Sequence, residues 1–490
     1  MMICRVVVQQ TRSGTMGRRG ILIKTLTLLL VEMAIIFTIV LLGLYLRFGS
    51  FAGSVLFEQR GIYKIFFTTF ICQFIFYLFD LYDVSKPRLR RELLTDIFQA
   101  VGVAILVLGL IFMLRPTLLI GYLQEIEGRG VGHYANGVPL IAMILALLMM
   151  ICWRLVIHWL MRHPLLGERI LIIGTDNLAR EVAHEAMLRK DLGYKVIGFV
   201  SEDPELVGKS LINPSVLGVV GDLIRIVEKE NIDRVVVALQ DRRGHMPVDQ
   251  LLQIRLQGSA AIEEGTSLYE KLTGKIKIEM LRPSWVIFSG GGKRRTAGNM
   301  LRRLFNFTAA LIGMLLSLPL ALLTALAIKI ESQGPVFYTQ ERVGKNGRIF
   351  RIIKFRSMKT DAEKDGTPQW AVNRDPRITR VGNFIRKTRI DEIPQFINII
   401  RGEMSFVGPR AERPFFVEQL TTQIPFYSQR HLVEPGLTGW AQVNYGYGAS
   451  VEDAIQKLQY DLYYIKNTSL LFDAWIIFKS IKIVLIGYGR

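Results

Sequence analysis

The sequence contains 490 residues, half of them hydrophobic, and carries a formal net charge of +19. A water-soluble chain is rarely that apolar, so we expect segments that lie in a membrane. The positive charge favours anionic lipid headgroups and phosphorylated substrates as partners. Because no RNA-binding aromatic motif, zinc-finger spacing or basic heptad region occurs, the sequence predicts no nucleic-acid partner.

Four apolar runs open the chain, at residues 21–46, 62–79, 93–114 and 138–160. Each is close to the roughly 20 residues that cross about 30 Å of hydrocarbon as a helix. Basic residues cluster before the first run, between the second and third, and at the end of the fourth, which predicts a cytoplasmic N-terminus. The first run is too long for a cleaved signal sequence, and we interpret it as a retained anchor. Residues 1–163 are thus predicted to form four transmembrane helices.

The next segment, residues 164–290, alternates short apolar runs with helical patterns. The run R-I-L-I-I at 169–173 predicts a buried strand, and two further strands with intervening helices follow up to residue 239. This alternation is typical of a cytoplasmic, Rossmann-like α/β domain. The loop G-T-D-N-L-A places Asp176 where a dinucleotide fold needs its second glycine. We therefore favour a structural or regulatory role over dinucleotide binding, and leave another bound nucleotide open.

The apolar segment 301–330 is long enough to cross a membrane, but Pro319 stands near its middle. An internal proline removes a backbone donor and clashes one turn back, so it breaks a straight helix. A fifth crossing would also export the many basic residues that follow. We predict a re-entrant broken helix that dips into the membrane and returns, with Ser317 bonding a carbonyl freed at the break. A kinked fifth crossing is the alternative.

Two adjacent carboxylates, Asp391 and Glu392, stand in T-R-I-D-E-I-P-Q, within a mainly α domain predicted at 296–490. Several basic residues surround them, and such a cluster suits phosphoryl chemistry. An ordinary helix start explains the same residues, with Asp391 as the N-cap and Pro394 in the first turn. The dipeptide alone does not separate these interpretations.

Four motifs follow in order after residue 300: K-F-R-S-M, D-E-I-P-Q, S-F-V-G-P-R and P-G-L-T-G-W. Their order and spacing resemble those of the bacterial sugar transferases, which are monotopic polyprenyl-phosphate hexose-1-phosphate transferases. The apolar runs and the α/β domain resemble the large members of that family, which start exopolysaccharide or O-antigen repeat units. Two positions depart from the family pattern: Leu318 stands where serine is common before the proline, and Ala411 where proline is common after Pro-Arg.

The resemblance implies that Asp391 is the nucleophile and that Glu392 holds Mg2+. A nucleotide diphosphate-sugar, expected to be a UDP-hexose, would give an aspartyl-phosphosugar and a nucleoside monophosphate. Polyprenyl (undecaprenyl) phosphate would then take the sugar phosphate and become polyprenyl diphosphate-sugar. The family pattern places the nucleotide at Pro409 and Arg410, and the further candidates for phosphate binding are Lys354, Arg356 and Arg389.

The same resemblance implies a multi-pass protein of the bacterial inner membrane, with its catalytic domain on the cytoplasmic face. Membrane lipids are expected partners, and the chain is a candidate homodimer.

Three other functions compete with this interpretation. A membrane glycosyltransferase would release a nucleoside diphosphate, but such enzymes typically hold their metal with D-x-D, and no two aspartates here are two residues apart. An oxidoreductase or sugar-nucleotide dehydratase would use Tyr-x-x-x-Lys, which occurs at Tyr82 and Lys86, beside a predicted membrane span and far from Gly174. A non-catalytic membrane scaffold would leave the four motifs unexplained.

Overall fold

A computed structural model divides the chain into two compact units, Met1–Leu272 and Thr273–Arg490. It describes residues 18–48, 52–57, 61–79, 81–82, 90–114, 152–153, 156, 168–189, 193–239, 246–281, 296–360, 375–446, 448 and 450–486.

Three of the four N-terminal apolar runs form helices. These helices, with one short connecting helix, are α1 (Arg18–Phe48), α2 (Ala52–Phe57), α3 (Gly61–Leu78) and α4 (Arg90–Leu114). Within the group, Gln73 Nε2 donates to the carbonyl oxygen of Leu29 over 2.9 Å, and the rings of Phe37 and Phe66 lie 5.0 Å apart. The fourth run, 138–160, lies largely outside the described residues.

A five-stranded parallel sheet forms the rest of the first unit, in the order β3-β2-β1-β4-β5. The strands are β1 (Glu168–Ile173), β2 (Tyr194–Ser201), β3 (Val216–Val219), β4 (Arg234–Val237) and β5 (Ala261–Glu264). The helices are α5 (Asn177–Leu188), α6 (Leu223–Lys229), α7 (Val248–Gln257) and α8 (Gly265–Thr273). The predicted α/β fold is confirmed, because apolar runs such as R-I-L-I-I are buried in the centre of the sheet.

The loop after β1 turns at Gly174, whose φ of +114° is unusual for residues with a side chain. A Cβ added there would lie 2.7 Å from the carbonyl oxygen of Ala238, the residue after β4, so this close approach of the backbone also requires glycine. Asp176 then precedes α5 in an extended conformation and makes no side-chain cap.

The second unit begins before the predicted catalytic domain. Trp440 Nε1 donates to the carbonyl oxygen of Gly274 over 2.9 Å, and Ile276 packs in a core with Leu458 and Leu462. The predicted boundary near residue 290 lies outside the described residues, so the predicted domain limits stay predictions.

One long helix, two small sheets and several short helices build this unit. The helices are α9 (Thr296–Glu331), α10 (Arg380–Lys387), α11 (Phe396–Ile400), α12 (Pro414–Gln423), α13 (Trp440–Asn444), α14 (Val451–Lys466) and α15 (Leu470–Ile486). Strands β6 (Phe337–Val343) and β7 (Ile349–Phe355) form an antiparallel hairpin, and β8 (Ser405–Val407) pairs in parallel with β9 (Gly436–Thr438).

Helix α9 is continuous through Pro319. Ser317 Oγ donates to the carbonyl oxygen of Met314 over 3.3 Å, whereas the carbonyl four residues before the proline belongs to Leu315. Ser317 is therefore engaged with the helix backbone beside the carbonyl that the proline leaves free.

Both ends of α9 bind the second unit. Near its start, Arg302 Nε lies 2.7 Å from Asp473 Oδ2, and Arg302 Nη2 donates to the carbonyl oxygen of Val407 over 2.9 Å. At its end, Glu331 accepts the backbone N–H groups of Arg380 and Val381, at the start of α10. Both ends of the helix are thus attached to other parts of the second unit.

One face of α9 packs against the rest of the second unit, while most of its other side chains are exposed. Ala310 is buried with Ile399, and Ile328 is buried with Phe355 and Ile385. Of the described helices, α3 and the part of α9 from Met300 to Glu331 are long and apolar enough to cross a membrane, and only 11% of the most apolar window in α9 is buried. The chain therefore carries an apolar surface suited to lipid contact.

Candidate active site

The four motifs meet in one cleft within the second unit. Strands β6 and β7, the turn that carries the carboxylates, and the β8–β9 pair supply its walls. Of the predicted site residues, the structure brings Lys354, Glu392 and Arg410 together here. The lining residues are Arg342, Ile352, Lys354, Glu392, Gln395, Met404, Arg410, Ala411, Gly436 and Leu437.

The carboxylates stand in a 3₁₀ turn, Ile390–Gln395, that leads directly into α11. Its cap residue is Arg389, whose φ of +58° is uncommon for a residue with a side chain. Asp391 and Glu392 both lie in the first turn, and no side chain caps it. The prediction of Asp391 as an N-cap is therefore wrong, because the chain enters the turn two residues earlier through a left-handed residue.

Glu392 is the ion-paired member of the carboxylate pair. Its Oε1 lies 3.0 Å from Lys354 Nζ and 3.4 Å from Arg389 Nη1. Burial by itself would raise the pKa of Glu392, but Lys354, Arg410 and Arg389 outweigh that effect and lower the pKa to about 2. Glu392 is thus ionised at any physiological pH.

Asp391 is only 7% exposed, and in the described part of the chain no side chain donates a hydrogen bond to it. Burial raises the pKa of Asp391 to about 6, with a further contribution from Glu392 and against the opposing effect of Lys354. Two adjacent carboxylates therefore differ in environment: one is paired, and the other is a basic, unpaired carboxylate. Glu392 lines the cleft, whereas Asp391 lies beside it.

The Pro-Arg motif is held by backbone pairing between β8 and β9. Gly408 N donates to the carbonyl oxygen of Thr438 over 2.9 Å, and Gly436 N donates to that of Pro409 over 2.9 Å. A Cβ at Gly408 would lie 2.3 Å from the carbonyl oxygen of Glu434, so this crossing requires glycine. The structure thus explains why S-F-V-G-P-R and P-G-L-T-G occur together.

The buried Arg430 holds the backbone of Arg410 in place. Arg430 Nη2 donates to the carbonyl oxygen of Arg410 over 3.2 Å and to Asp461 Oδ2 over 2.9 Å. Burial raises the pKa of Asp461 to about 6, although Arg430 opposes the shift. Sequence reasoning missed this pair, because its members lie 31 residues apart in different helical segments.

Two other predicted phosphate ligands do not line the cleft. Arg356 is buried, and its guanidinium donates to the carbonyl oxygens of Gln333 and Ser332 over 2.7 and 2.8 Å, just after α9. Arg389 contacts Glu392 from outside the cleft. Arg356 thus binds the backbone at the end of α9, and Arg389 contacts Glu392.

Two polar residues that line the cleft, Gln395 and Arg342, were not among the predicted site residues. Gln395 belongs to the D-E-I-P-Q motif, so its motif membership was a usable signal. Arg342 stands in β6, outside the four motifs, so no motif pointed to it. Its Nη1 donates to the carbonyl oxygen of Ala411 over 3.1 Å, which places it beside Arg410.

The residues fit the way Mg2+ usually binds, through one or two carboxylates together with substrate phosphates. Asp391 offers a carboxylate with no hydrogen-bond donor among the described residues, and Glu392 stands next to it. Within the described ranges, no group of three or more His, Cys, Asp or Glu residues forms a complete protein cage.

Two family models match the sequence. The bacterial sugar transferase model covers residues 297–487, which contain the whole cleft. A CoA-binding domain model covers residues 77–254, which include most of the parallel sheet.

Several characterised proteins are similar to the chain. A UDP-N-acetylgalactosamine-undecaprenyl-phosphate N-acetylgalactosaminephosphotransferase of Aeromonas hydrophila is 48% identical over 246 residues, which are 50% of this chain and 54% of that protein. A UDP-glucose:undecaprenyl-phosphate glucose-1-phosphate transferase of Escherichia coli K12 is 32% identical over 333 residues, 67% of this chain and 70% of that protein. The chain thus spans little more than half of the Aeromonas protein. These matches, together with the family model over the cleft, show that the chain belongs to the bacterial sugar transferase family.

Proposed function

We propose that the protein transfers a sugar-1-phosphate from a UDP-hexose to undecaprenyl phosphate and releases UMP. This would be the first step in building an exopolysaccharide or O-antigen repeat unit. The observation that carries the proposal is the pair of adjacent carboxylates with opposite pKa shifts beside Lys354 and Arg410. The activities for which the relatives are named support the UDP-sugar donor and the undecaprenyl phosphate acceptor.

Asp391 is the nucleophile in this mechanism. A carboxylate oxygen of Asp391 attacks the sugar-bearing phosphorus, and the bond from that phosphorus to the bridging oxygen breaks as UMP leaves. A phosphate oxygen of undecaprenyl phosphate then attacks the same phosphorus and displaces Asp391, which regenerates the free carboxylate. The raised pKa of Asp391 suits a nucleophile, because a more basic carboxylate gives a stronger attacking oxygen.

The cations near the carboxylates reduce the repulsion between the attacking anion and the diphosphate. Lys354 and Arg410 line the cleft and would stabilise negative charge that develops on the phosphoryl oxygens. Glu392 would hold Mg2+, which when bound supplies further neutralisation of the diphosphate charge. Arg430 keeps the Arg410 backbone in place through its carbonyl oxygen.

The proposal includes a multi-pass protein of the bacterial inner membrane, with four N-terminal crossings and a re-entrant α9. The re-entrant arrangement is supported by Arg302 and Glu331, which lie at opposite ends of the helix and both bind the same unit. A straight crossing would separate these residues by about 30 Å of hydrocarbon. A cytoplasmic second unit at the headgroup surface would meet both the soluble donor and the lipid phosphate.

The test is turnover of membranes or purified protein with UDP-sugars and undecaprenyl phosphate. The wild-type protein should release UMP and, without lipid acceptor, should gain the mass of one sugar phosphate. Asp391→Asn should abolish both signals, while Asp249→Asn, an exposed aspartate of α7, should leave both unchanged.

Two outcomes would contradict the proposal. Release of UDP in place of UMP would indicate a glycosyltransferase, and wild-type turnover by Asp391→Asn would remove the nucleophile. If Glu392→Gln lost the covalent adduct while Asp391→Asn kept it, the roles of the two carboxylates would be exchanged. A panel beginning with UDP-N-acetylgalactosamine and UDP-glucose, the donors of the relatives above, would identify the hexose.

A further inference from the structure

Two buried hydrogen-bond donors in the cleft have no partner among the described residues. Gln395 is 2% exposed, and its Nε2 has no hydrogen-bond partner within the described ranges. Arg342 Nε is also buried without a partner there. Both side chains line the cleft together with Lys354 and Arg410.

An unsatisfied buried donor is costly, since folding removes its hydrogen bonds to water without replacing them. An apolar side chain of similar size would avoid that cost at residue 395. The amide of Gln395 in the wall of the cleft therefore indicates that a bound ligand supplies the hydrogen-bond acceptor.

The surroundings define the chemistry of that acceptor. Three cations, Arg342, Lys354 and Arg410, and one carboxylate, Glu392, line the cleft. Burial and the neighbouring Arg410 and Arg413 lower the pKa of Arg342 to about 10, against the pull of Glu412. An anionic oxygen would both neutralise part of this positive charge and accept hydrogen bonds from the two donors. A neutral hydroxyl would accept the hydrogen bonds but would leave the charge unbalanced.

Resting on the proposed function, we infer that Gln395 Nε2 and Arg342 Nε bind phosphoryl oxygens of the substrate. Gln395 ends the same six-residue turn that carries Asp391. A phosphoryl group held by the amide would therefore be fixed relative to the nucleophile by a single short piece of backbone. The shared chemistry is a phosphoryl oxygen, which either the donor diphosphate or the lipid phosphate can supply.

The first experiment measures binding of inorganic pyrophosphate with Mg2+ to the full-length protein in detergent, by calorimetry. Gln395→Leu keeps the side-chain volume and removes the donor, so it should weaken pyrophosphate binding about 10- to 100-fold. Its melting temperature without ligand should stay equal or rise, because an orphan polar group is removed. Arg342→Lys keeps the charge, removes Nε, and should also weaken binding.

Gln442→Leu is the matched control. Gln442 also has a buried atom without a partner in the described ranges, but this atom is the acceptor Oε1, and the residue does not line the cleft. Its replacement should leave pyrophosphate affinity unchanged. Unaltered affinity in Gln395→Leu, or a clearly lower melting temperature with unaltered affinity, would overturn the proposal.

Single-turnover experiments separate the two phosphate sources. Slower formation of the sugar-phosphate adduct from UDP-sugar alone would assign Gln395 to the donor diphosphate. A normal adduct with slow transfer to undecaprenyl phosphate would assign it to the lipid phosphate, and normal rates in both steps would overturn the proposal. Because pyrophosphate binding requires no turnover, failure of the proposed reaction in the wild-type protein would be distinguishable from failure of this inference.

Discussion

Lys354 Nζ donates to Glu392 Oε1 over 3.0 Å, which connects the β6–β7 hairpin to the turn that carries the nucleophile candidate. The pair commits Glu392 to the ionised state and leaves Asp391 as the carboxylate with the raised pKa. Lys354 lowers the pKa of both carboxylates, but only Glu392 makes a direct ion pair with it, so the effect of burial prevails at Asp391. This division of roles resembles the separation of acid and base functions in other enzymes with paired carboxylates.

The first prediction concerns Lys354→Met. Glu392 has a lowered pKa, so its ion pairs stabilise the fold above the usual carboxyl pKa, and this stabilisation is lost as the pH falls towards about 2. Removal of Lys354 should therefore lower stability at pH 7.5 by about 2 kcal/mol, because Arg389 and Arg410 remain. Transfer should fall about 100-fold. Thermal unfolding and UMP release measure these effects.

The control for that variant is Lys359→Met, which changes an exposed lysine shortly after β7. It should leave both stability and turnover unchanged. Equal effects of the two substitutions would show that general surface charge, and not the bond to Glu392, explains the loss.

The second prediction is an acid limb in the pH profile. With the pKa of Asp391 near 6, kcat/KM should fall about tenfold per pH unit below that value as the carboxylate becomes protonated. Because the folded pKa is raised, protonated Asp391 stabilises the fold at low pH, and this contribution is lost as the pH rises through about 6. Asp391→Asn should therefore raise stability at pH 7.5 by about 1–3 kcal/mol, measured by thermal unfolding.

Asp461 provides the control for the acid limb, because burial also raises its pKa to about 6. Asp461→Asn should lower activity through the Arg430 support of Arg410 but should retain the acid limb. A flat profile in that variant would assign the limb to Asp461 and contradict the role of Asp391.

The third prediction tests how α9 is anchored. Arg302→Met leaves Asp473 buried without its guanidinium partner and should cost about 3–5 kcal/mol. The double variant Arg302→Met, Asp473→Asn should be more stable than Arg302→Met alone, because no buried charge remains unpaired. Thermal unfolding in detergent gives the order of the variants, and Arg303→Met, at an exposed neighbour, should behave like the wild type. Additive losses would contradict direct coupling.

The fourth prediction concerns Gly313, on the packed face of α9. A Cβ there would lie 3.1 Å from the ring of Phe396, the residue that directly follows Gln395. Gly313→Leu should cost about 1–3 kcal/mol through overpacking. It should also slow transfer about 100-fold, because displacement of α11 moves the catalytic turn.

Gly298→Leu is the control in the same helix, since no other group lies within 4 Å of a Cβ at that residue among the described atoms. Stability and UMP release should both stay near the wild-type values. If Gly313→Leu also left both unchanged, tight packing between α9 and the catalytic turn would be disproved.

The sequence by itself determined the elements whose cause is local. The run R-I-L-I-I predicts a buried strand because its side chains are apolar on both faces, and the structure places that strand in the middle of the sheet. Three apolar runs are helical as predicted. Motif order was enough to indicate the family, and it placed Lys354, Glu392 and Arg410 among the site residues.

Only the tertiary structure decided which charged residues line the same cleft and which instead hold the backbone in place. Arg356 belongs to a recognised motif, yet its donors bind the backbone after α9. Arg342 and Gln395 line the cleft because the β6–β7 hairpin and the 3₁₀ turn form opposite walls of it. Charge type and spacing are written in the sequence, but burial and pairing depend on residues far away in the chain. Those two properties set the pKa of each carboxylate and decide which buried donors lack a partner among the described residues.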